Sequence, residues 1–402
     1  AMLALSAEAA MNIFQLEECG VYRSHHRPLS WRPINPDTAM LKTTSLYDIL
    51  LKRTARVPLT LLLIAGNLIV FGLMLNAGAG LLHSNNGVQL AWGANFGPAT
   101  QDGQWWRLGS ALFLHFGLIH IVMNLWALWD GGQLVERIYG HLRFILIYFT
   151  SGLFGNLLSL VVQGNEAVSG GASGAIFGIY GALLVFIWRE RKQLDPREFR
   201  WLFWGGSVFT AGSIALGLFV PGIDNSAHIG GLVAGMLVGT LLGRPVLGET
   251  PWPPAQRGVC ALLLLGATFF LLTHIPAASY RWSEEIAARE EIRSFLERES
   301  QVQKNWQDII REDRLNAASF EDLAKRIEFE ITEHYEESFE DFSELTLSAS
   351  APSAAQVESL RRYSEQRRNA SQALANKLRT DSQFGPARTI RPAPAPAPAP
   401  AQ

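Results

Sequence analysis

The chain has 402 residues, of which 48% are hydrophobic and only 17% are charged. An average globular domain carries about 25% charged residues, and the deficit here lies in residues 57–276. This distribution argues against a water-soluble core and predicts a membrane-embedded body with polar ends. The formal net charge of −2 gives no reason to expect nucleic acid as a partner. The two cysteines, Cys19 and Cys260, make neither a disulfide framework nor a metal site.

Hydropathy predicts seven transmembrane spans, each close to the roughly 20 apolar residues that cross a bilayer. They cover residues 57–77, 111–129, 144–162, 173–188, 201–220, 227–242 and 258–275. The fourth and sixth spans are short and rich in glycine. We therefore expect an all-α polytopic membrane protein, because a helix satisfies its own backbone hydrogen bonds in lipid.

Basic residues in the loops predict the orientation. Lys and Arg cluster before the first span and in every second loop after it, whereas the alternate loops hold few, with Arg107 the main exception. The positive-inside rule then puts the N-terminus in the cytoplasm and, after seven spans, the C-terminal region outside it. The expected location is a bacterial inner (plasma) membrane.

The flanking regions are polar. Residues 1–50 are predicted as an N-terminal cytoplasmic segment, and residues 258–276 as the additional seventh span. Residues 281–385 are charged, with apolar side chains near helical spacing, which predicts a soluble helical region able to bind an unknown partner. Residues 386–402 alternate Pro and Ala, which is typical of a disordered tail.

Five polar side chains occupy predicted spans. His115, His120 and Asn124 fall in span two, Ser173 opens span four and His228 opens span six. Charged groups inside a membrane cost about 3 kcal/mol on the milder scales, so ionisable and polar residues there are functional candidates. All three spans enter from outside in the predicted topology. The five groups therefore share one layer just below the extracytoplasmic surface.

Glycine spacing predicts how two of these groups meet. Gly231 and Gly235 share a face of span six with His228, and Gly174 begins a small face on span four. Because small residues let helices approach closely, packing these faces would bring His228 to Ser173. Transfer of the hydroxyl proton to the imidazole needs a contact of about 2.6–3.2 Å.

The same layer can complete an acyl-transfer site. Ser173 lies at a helix start, where free N–H groups and the helix dipole favour an oxyanion. Gly171 lets a substrate carbonyl approach that backbone, and His120 and Asn124 can add donors. No Asp or Glu lies at this depth in the predicted spans, so a protease here is expected to use a Ser–His dyad rather than a triad.

Other interpretations remain open. Serine is common in transmembrane helices, and glycine at every fourth position usually marks helix packing alone. His115, His120 and His228 can instead form a transporter's proton relay or ligate heme or a metal, although no nearby carboxylate or Cys supports a metal site. Transporters often show repeated halves, which this sequence lacks. The conjunction of Ser, His, His and Asn in one layer favours hydrolysis.

Taken together, the motifs resemble the rhomboid family of intramembrane serine proteases. The matching segments are Trp106-Arg107, His115-x-x-x-x-His120-x-x-x-Asn124, Gly171-Ala172-Ser173-Gly174 and Ala227-His228-x-x-Gly231-x-x-x-Gly235. Their order and spacing agree with the family over about residues 55–245. The resemblance implies a six-helix rhomboid core at 55–245, followed here by one added C-terminal transmembrane helix.

The resemblance also implies roles for individual residues. Ser173 is the nucleophile, His228 the general base, and His120 and Asn124 form the oxyanion hole with the Ser173 backbone N–H. Phe177 matches a position where the family places an aromatic ring, often Tyr, beside the catalytic histidine. Supporting positions are His115, Trp106, Arg107, Gly171, Gly174, Gly231 and Gly235.

The implied activity is cofactor-free and metal-free cleavage of single-pass transmembrane proteins near the outer membrane face. An alternative within the family is a non-catalytic relative that binds and sorts transmembrane helices. Such relatives usually lack the serine or the histidine, and this chain has both Ser173 and His228.

Overall fold

The computed structural model describes residues 45–248, 252–314 and 319–382. Within these ranges the chain is helical, with one isolated bridge between Asn95 and Ser169 and no strand. The all-α prediction is therefore confirmed. Most of the predicted N-terminal segment and the Pro/Ala tail lie outside the described residues. The chain divides into two compact units, Ala1–Ala277 and Ala278–Gln402.

The first unit is built from long helices joined by short ones. In chain order they are α1 (Leu46–Arg53), α2 (Pro58–Asn76), α3 (Asn86–Ala91), α4 (Gly97–Gln101), α5 (Arg107–Ser110), a 3-10 turn (Ala111–Phe113), α6 (Leu118–Tyr139), α7 (His141–Gln163), α8 (Ser173–Glu190), α9 (Pro196–Gly217), α10 (Asn225–Leu242) and α11 (Pro254–Thr273). Among the described helices, α2, α7, α8, α10 and α11 are long and apolar enough to cross a membrane. The segment from α5 through α6 is a bent sixth candidate. The protein is thus a multi-pass membrane protein.

Span two departs from the prediction at its start. The prediction was one helix over residues 111–129, but Arg107–Phe113 and Leu118–Tyr139 meet at a bend of 92°. The bend is held because the Leu118 N–H donates to the Leu81 carbonyl at 2.8 Å, and the Phe116 carbonyl accepts from Ser84 at 2.8 Å. His115 therefore lies in the bend, not in the helix.

Span two also continues beyond its predicted end, to Tyr139. Polar residues after position 129 suggested a loop, but their partners lie inside the fold. The buried Glu136 carboxylate accepts from the N–H groups of Leu59 and Thr60, at 3.1 and 2.8 Å, and from the Thr60 hydroxyl at 2.6 Å. The Arg137 guanidinium donates to two carbonyls that precede α2. The polar end of α6 thus secures the start of α2.

The remaining predicted spans correspond to α2 and α7 to α11, with ends shifted by a few residues. The largest difference is α9, which begins at Pro196 and is not among the membrane-spanning candidates. Its first turns carry Arg197, Glu198 and Arg200, and Asp195 caps its start by accepting from two backbone N–H groups. Because its first turns are charged, α9 is less apolar than the other predicted spans.

Helices α8 and α10 form the centre of the first unit. α8 is buried along most of its length, and α10 packs against both α8 and α7. A Cβ on Gly235 would lie 2.1 Å from the carbonyl oxygen of Gly178, and Gly231 is packed against Gly174 in the same way. The predicted contact between the two glycine-rich faces is therefore confirmed.

The second unit contains α12 (Trp282–Arg314), α13 (Phe320–Ile327), a π-helical turn (Glu328–Thr332), α14 (Glu333–Glu344) and α15 (Ala354–Ser382). The helical character predicted for this region is confirmed. One apolar cluster joins Val302 and Ile309 to α13 and α15, and a second joins Phe295 to Phe342. Not every apolar side chain near helical spacing in this region is buried, since Ile286 is exposed.

Candidate active site

Ser173 is the first residue of α8, and Gly171, two residues before it, has a backbone conformation that strains any other residue. Gly171 has φ of 143°, a value that L side chains rarely adopt. A Cβ there would lie 2.9 Å from His120 Nε2 and 3.7 Å from Ser173 Oγ. The hydroxyl and the imidazole nitrogen therefore border one small space, which Gly171 keeps open.

The tautomer of His120 follows from its hydrogen bonding. The backbone N–H of Phe116 donates to His120 Nδ1 at 3.4 Å. A neutral imidazole that accepts at Nδ1 carries its proton on Nε2. The nitrogen that borders the same space as Ser173 Oγ is thus a donor, as an oxyanion hole requires.

Asn124 lies one helical turn after His120 on the same face of α6. Its Nδ2 donates to the His120 carbonyl at 2.9 Å, and the residue is buried. This bond uses one of the two amide hydrogens and fixes the orientation of the side chain. Asn124 is therefore held beside His120, where the sequence predicted a second donor.

His228 lies in the first turn of α10 and is buried. Its imidazole stacks on the ring of Phe177, with the centroids 4.3 Å apart and the planes 6° from parallel. Phe177 follows Ser173 by one turn of α8, so the stack brings the imidazole to the face of α8 that carries the hydroxyl.

His115 packs against His120 and is not one of the residues that border the space beside Gly171. It is fully buried, and its ring meets the His120 ring edge-on with the centroids 5.0 Å apart. Its Nδ1 lies 3.3 Å from the Phe113 carbonyl oxygen, and its own carbonyl accepts from Gln89 at 3.0 Å. These contacts fix the bend from which α6 starts.

Trp106 and Arg107 organise the loop between α2 and α6. The buried Arg107 guanidinium donates to the carbonyls of Leu90 and Ala94, at 2.8 and 3.1 Å. Trp106 is 56% exposed, yet its ring lies against Gly93, where a Cβ would approach it to 2.4 Å. Both residues therefore shape the loop that leads into the bend.

Asp224 was missed by sequence reasoning. The sequence reasoning considered only carboxylates within the spans, whereas Asp224 caps α10 one turn before His228. An Asp just before an apolar helix is a recognisable N-cap signal. Its carboxylate accepts from the hydroxyls of Ser159 and Ser169 and from the backbone.

The Asp224 carboxylate does not complete a Ser–His–Asp triad. In a triad, the acidic residue accepts from the imidazole Nδ1–H. The buried Nδ1 of His228 has no hydrogen-bond partner in the described part of the chain. The ring stacks on Phe177, and this contact helps to orient it.

The alternative of a metal site requires several ligand side chains grouped around one position. Among residues 45–248, 252–314 and 319–382, no three His, Cys, Asp or Glu side chains are grouped to hold one metal ion. The arrangement instead combines a hydroxyl at a helix start, an imidazole on its face and a donor from a second imidazole. These are the components of acyl transfer.

Comparisons with known proteins point to one family. A family model described as a rhomboid domain matches residues 102–245. The rhomboid protease GluP of Bacillus subtilis (strain 168) is 36% identical over 235 residues, which are 58% of this chain and 44% of GluP. The putative rhomboid protease YdcA of the same organism is 31% identical over 149 residues, 37% of this chain and 72% of YdcA. Rhomboid-like protease 1 of Toxoplasma gondii is 31% identical over 186 residues, 44% of this chain and 62% of that protein. The chain thus spans less than half the length of GluP.

Proposed function

Because this chain belongs to the rhomboid family, we propose that it is an intramembrane serine endopeptidase acting through Ser173 and His228. The observation that carries the proposal is the parallel stack of His228 on Phe177, one turn from Ser173. A histidine held only for packing would not need to lie on the helix face of a serine that borders a hydrogen-bond donor.

In the proposed reaction, His228 removes the Ser173 hydroxyl proton while the oxygen attacks the carbonyl carbon of the scissile peptide. The negative charge on the carbonyl oxygen is stabilised by the Ser173 N–H, His120 Nε2–H and Asn124. His228 then gives the proton to the departing amine as the C–N bond breaks. This leaves an acyl-enzyme on Ser173.

The second half of the reaction uses water. His228 takes a proton from a water molecule, whose oxygen attacks the ester carbonyl. The same donors stabilise the second oxyanion, and the proton returns to Ser173 as the acid leaves. Because water must enter, we propose that the site lies just below the membrane surface and opens to it.

We propose single-pass transmembrane proteins as substrates. A stable helix hides its carbonyls in its own hydrogen bonds, so only a segment that frays can present one to Ser173. The loop basic residues support an N-terminus in the cytoplasm and cleavage near the extracytoplasmic face. We propose a bacterial inner membrane as the location. If α9 also crosses the membrane, as the sequence predicts, the chain has seven spans, and the second unit is then extracytoplasmic and available to a partner.

A fluorophosphonate probe tests the proposal, because it reacts only with an activated serine. The purified full chain should be labelled at Ser173. Ser173→Ala should abolish labelling, and His228→Ala should lower it strongly. Ser213→Ala, a serine change in α9, is the matched control and should label like the unchanged chain. A folded chain that does not label would instead be a non-catalytic binder of transmembrane helices.

The proposed orientation has its own test. Alkaline phosphatase, which is active only outside the bacterial cytoplasm, can be fused after Gln402. An active fusion supports seven spans and an extracytoplasmic second unit. An inactive but intact fusion contradicts that topology.

A further inference from the structure

We propose that Asp224 is a positioning residue, which couples the segment that carries Ser173 to the helix that carries His228. The inference rests on the proposed function, because what Asp224 positions is the nucleophile relative to its base. It concerns a carboxylate that touches neither reacting group.

Asp224 is fixed to the first turn of α10. Its Oδ1 accepts from the Ala227 N–H at 3.0 Å, which is a side-chain N-cap. Its backbone carbonyl accepts from the His228 N–H at 3.2 Å. The positions of the Asp224 carboxylate and of His228 are therefore set by the same helical turn.

The other carboxylate oxygen reaches two neighbouring segments. Oδ2 accepts from the Ser169 hydroxyl at 2.6 Å and from the Ser159 hydroxyl at 2.5 Å. Ser169 precedes Ser173 by four residues, and Ser159 belongs to α7. One oxygen thus joins the nucleophile segment and α7 to the helix of the base.

The nucleophile segment is held on its other side by backbone bonds. Ser169 and Asn95 exchange two N–H···O bonds of 2.9 Å, and the Gly171 N–H donates to the Ala111 carbonyl at 2.8 Å. These bonds tie the segment to the loop between α2 and α6. The Asp224 contact ties it to α10, so this contact, together with the glycine packing of α8 on α10, sets the position of Ser173 relative to His228.

The chemistry of the contact calls for a carboxylate. Ser159 and Ser169 are both buried, so their hydroxyls need a protein acceptor. A carboxylate provides two acceptor oxygens, and bonds to it are stronger than neutral ones. An Asn side chain keeps one oxygen for the helix cap but presents an NH₂ group where Oδ2 lies. Asp224→Asn therefore weakens the link while preserving the cap.

The experiment measures kcat and KM of the full chain on a reporter transmembrane substrate. Asp224→Asn and Ser169→Ala are each expected to lower kcat about 10- to 100-fold, the effect of moving reacting groups by up to about 1 Å. KM should stay within about twofold, because substrate binding is not touched. Thr268→Ala, which removes a hydroxyl bonded within α11, is the matched control and should leave kcat unchanged.

A double variant separates positioning from general destabilisation. If the two residues act through one bond, Asp224→Asn combined with Ser169→Ala should be no slower than the slower single variant. If Asp224→Asn does not fold, the kcat of Ser169→Ala alone tests the inference, because this substitution leaves the helix cap intact.

Three results would overturn the inference. The first is an unchanged kcat in both single variants. The second is a double variant in which the two losses of kcat multiply. The third is a lower unfolding temperature with no loss of kcat. These outcomes are distinct from failure of the proposed function. In that case the chain without substitutions would itself not cleave the substrate. If the unchanged chain cleaves and Ser173→Ala does not, normal kcat in the Asp224 and Ser169 variants rejects the positioning role alone.

Discussion

A Cβ atom added to Gly231 would lie 1.9 Å from the carbonyl oxygen of Gly174. Helices α10 and α8 therefore touch backbone to backbone within one turn of His228 and Ser173. No side chain fits between them, so the distance between the two helices is set by the absence of Cβ atoms on this face.

Gly231→Ala should therefore force α10 away from α8. Overpacking of a dense interior costs about 1–3 kcal/mol, and the displacement moves His228 relative to Ser173. We expect a lower unfolding temperature in detergent and loss of cleavage. Gly266→Ala in α11 is the control, since nothing lies within 4 Å of its added Cβ. Equal melting and full activity in both variants would contradict this account of the interface.

Gly171→Ala should abolish probe labelling of Ser173. The substitution strains a backbone with φ of 143° and drives a methyl group into the His120 ring. Gly103→Ala is the matched control, because Gly103 has φ of 91° and open space around it. Both variants should lose about 1–3 kcal/mol of stability from backbone strain. If Gly171→Ala still labels, the space beside Gly171 is not the oxyanion site.

Phe177→Ala should reduce kcat because it removes the ring on which His228 stacks. Aromatic stacking contributes about 0.5–1.5 kcal/mol, or roughly 2- to 10-fold in rate. Phe177→Tyr keeps the ring and should retain activity. Phe269→Ala is the control for loss of a phenyl ring. Phe269 lies in α11 and is 71% exposed, so kcat should not change. Unchanged kcat in Phe177→Ala would mean that the stack does not orient the base.

Glu136→Ala should destabilise the first unit strongly. The substitution leaves the N–H groups of Leu59 and Thr60 and the Thr60 hydroxyl without their acceptor. Loss of a buried acceptor costs about 1–3 kcal/mol for each stranded donor. The melting temperature measures the effect, and Glu166→Ala, a substitution at an exposed residue, is the control. A melting temperature like that of the control would show that α6 does not secure α2 through Glu136.

The second unit should lose stability in acid through Glu328. Hydrogen bonds from Arg379 hold the pKa of this carboxyl below its ordinary value of 4.5. Because the folded pKa is depressed, the stabilisation is full above pH 4.5 and is lost as the pH falls through the folded pKa. Both side chains are partly exposed to solvent, which screens the interaction, so the effect is small.

Hydrogen-exchange protection of α13 and α15 in the full chain checks this. Protection should fall with acid in the unchanged chain and in Glu344→Gln, an exposed control. Glu328→Gln should show lower protection at neutral pH and a weaker dependence on acid. An identical acid profile in all three chains would exclude Glu328 as the titrating group.

Much of the first unit could be predicted from composition and spacing. Apolar runs of about 20 residues located α2, α7, α8, α10 and α11, because hydrocarbon imposes that length. The four-residue glycine repeat predicted the contact of α8 with α10, because only small residues allow it. Both signals depend only on residues that are close together in the sequence, so they can be read without knowing the rest of the fold.

The errors arose where partners distant in sequence decide the structure. The end of α6 was misjudged because Glu136 is satisfied by α2, which polarity alone does not indicate. His115 was put in a helix because the bond of Leu118 to Leu81 is not visible in a hydropathy profile. Asp224 precedes the predicted sixth span, and its role is not visible in the sequence because its link to Ser169 exists only in the folded chain.

Cleavage of a reporter transmembrane substrate in proteoliposomes tests the central claim most directly. The unchanged chain should cut the substrate near one membrane face, and Ser173→Ala and His228→Ala should insert and fold normally but not cut. Undiminished cleavage by Ser173→Ala would contradict the account, because the peptide bond would then be broken without the proposed nucleophile.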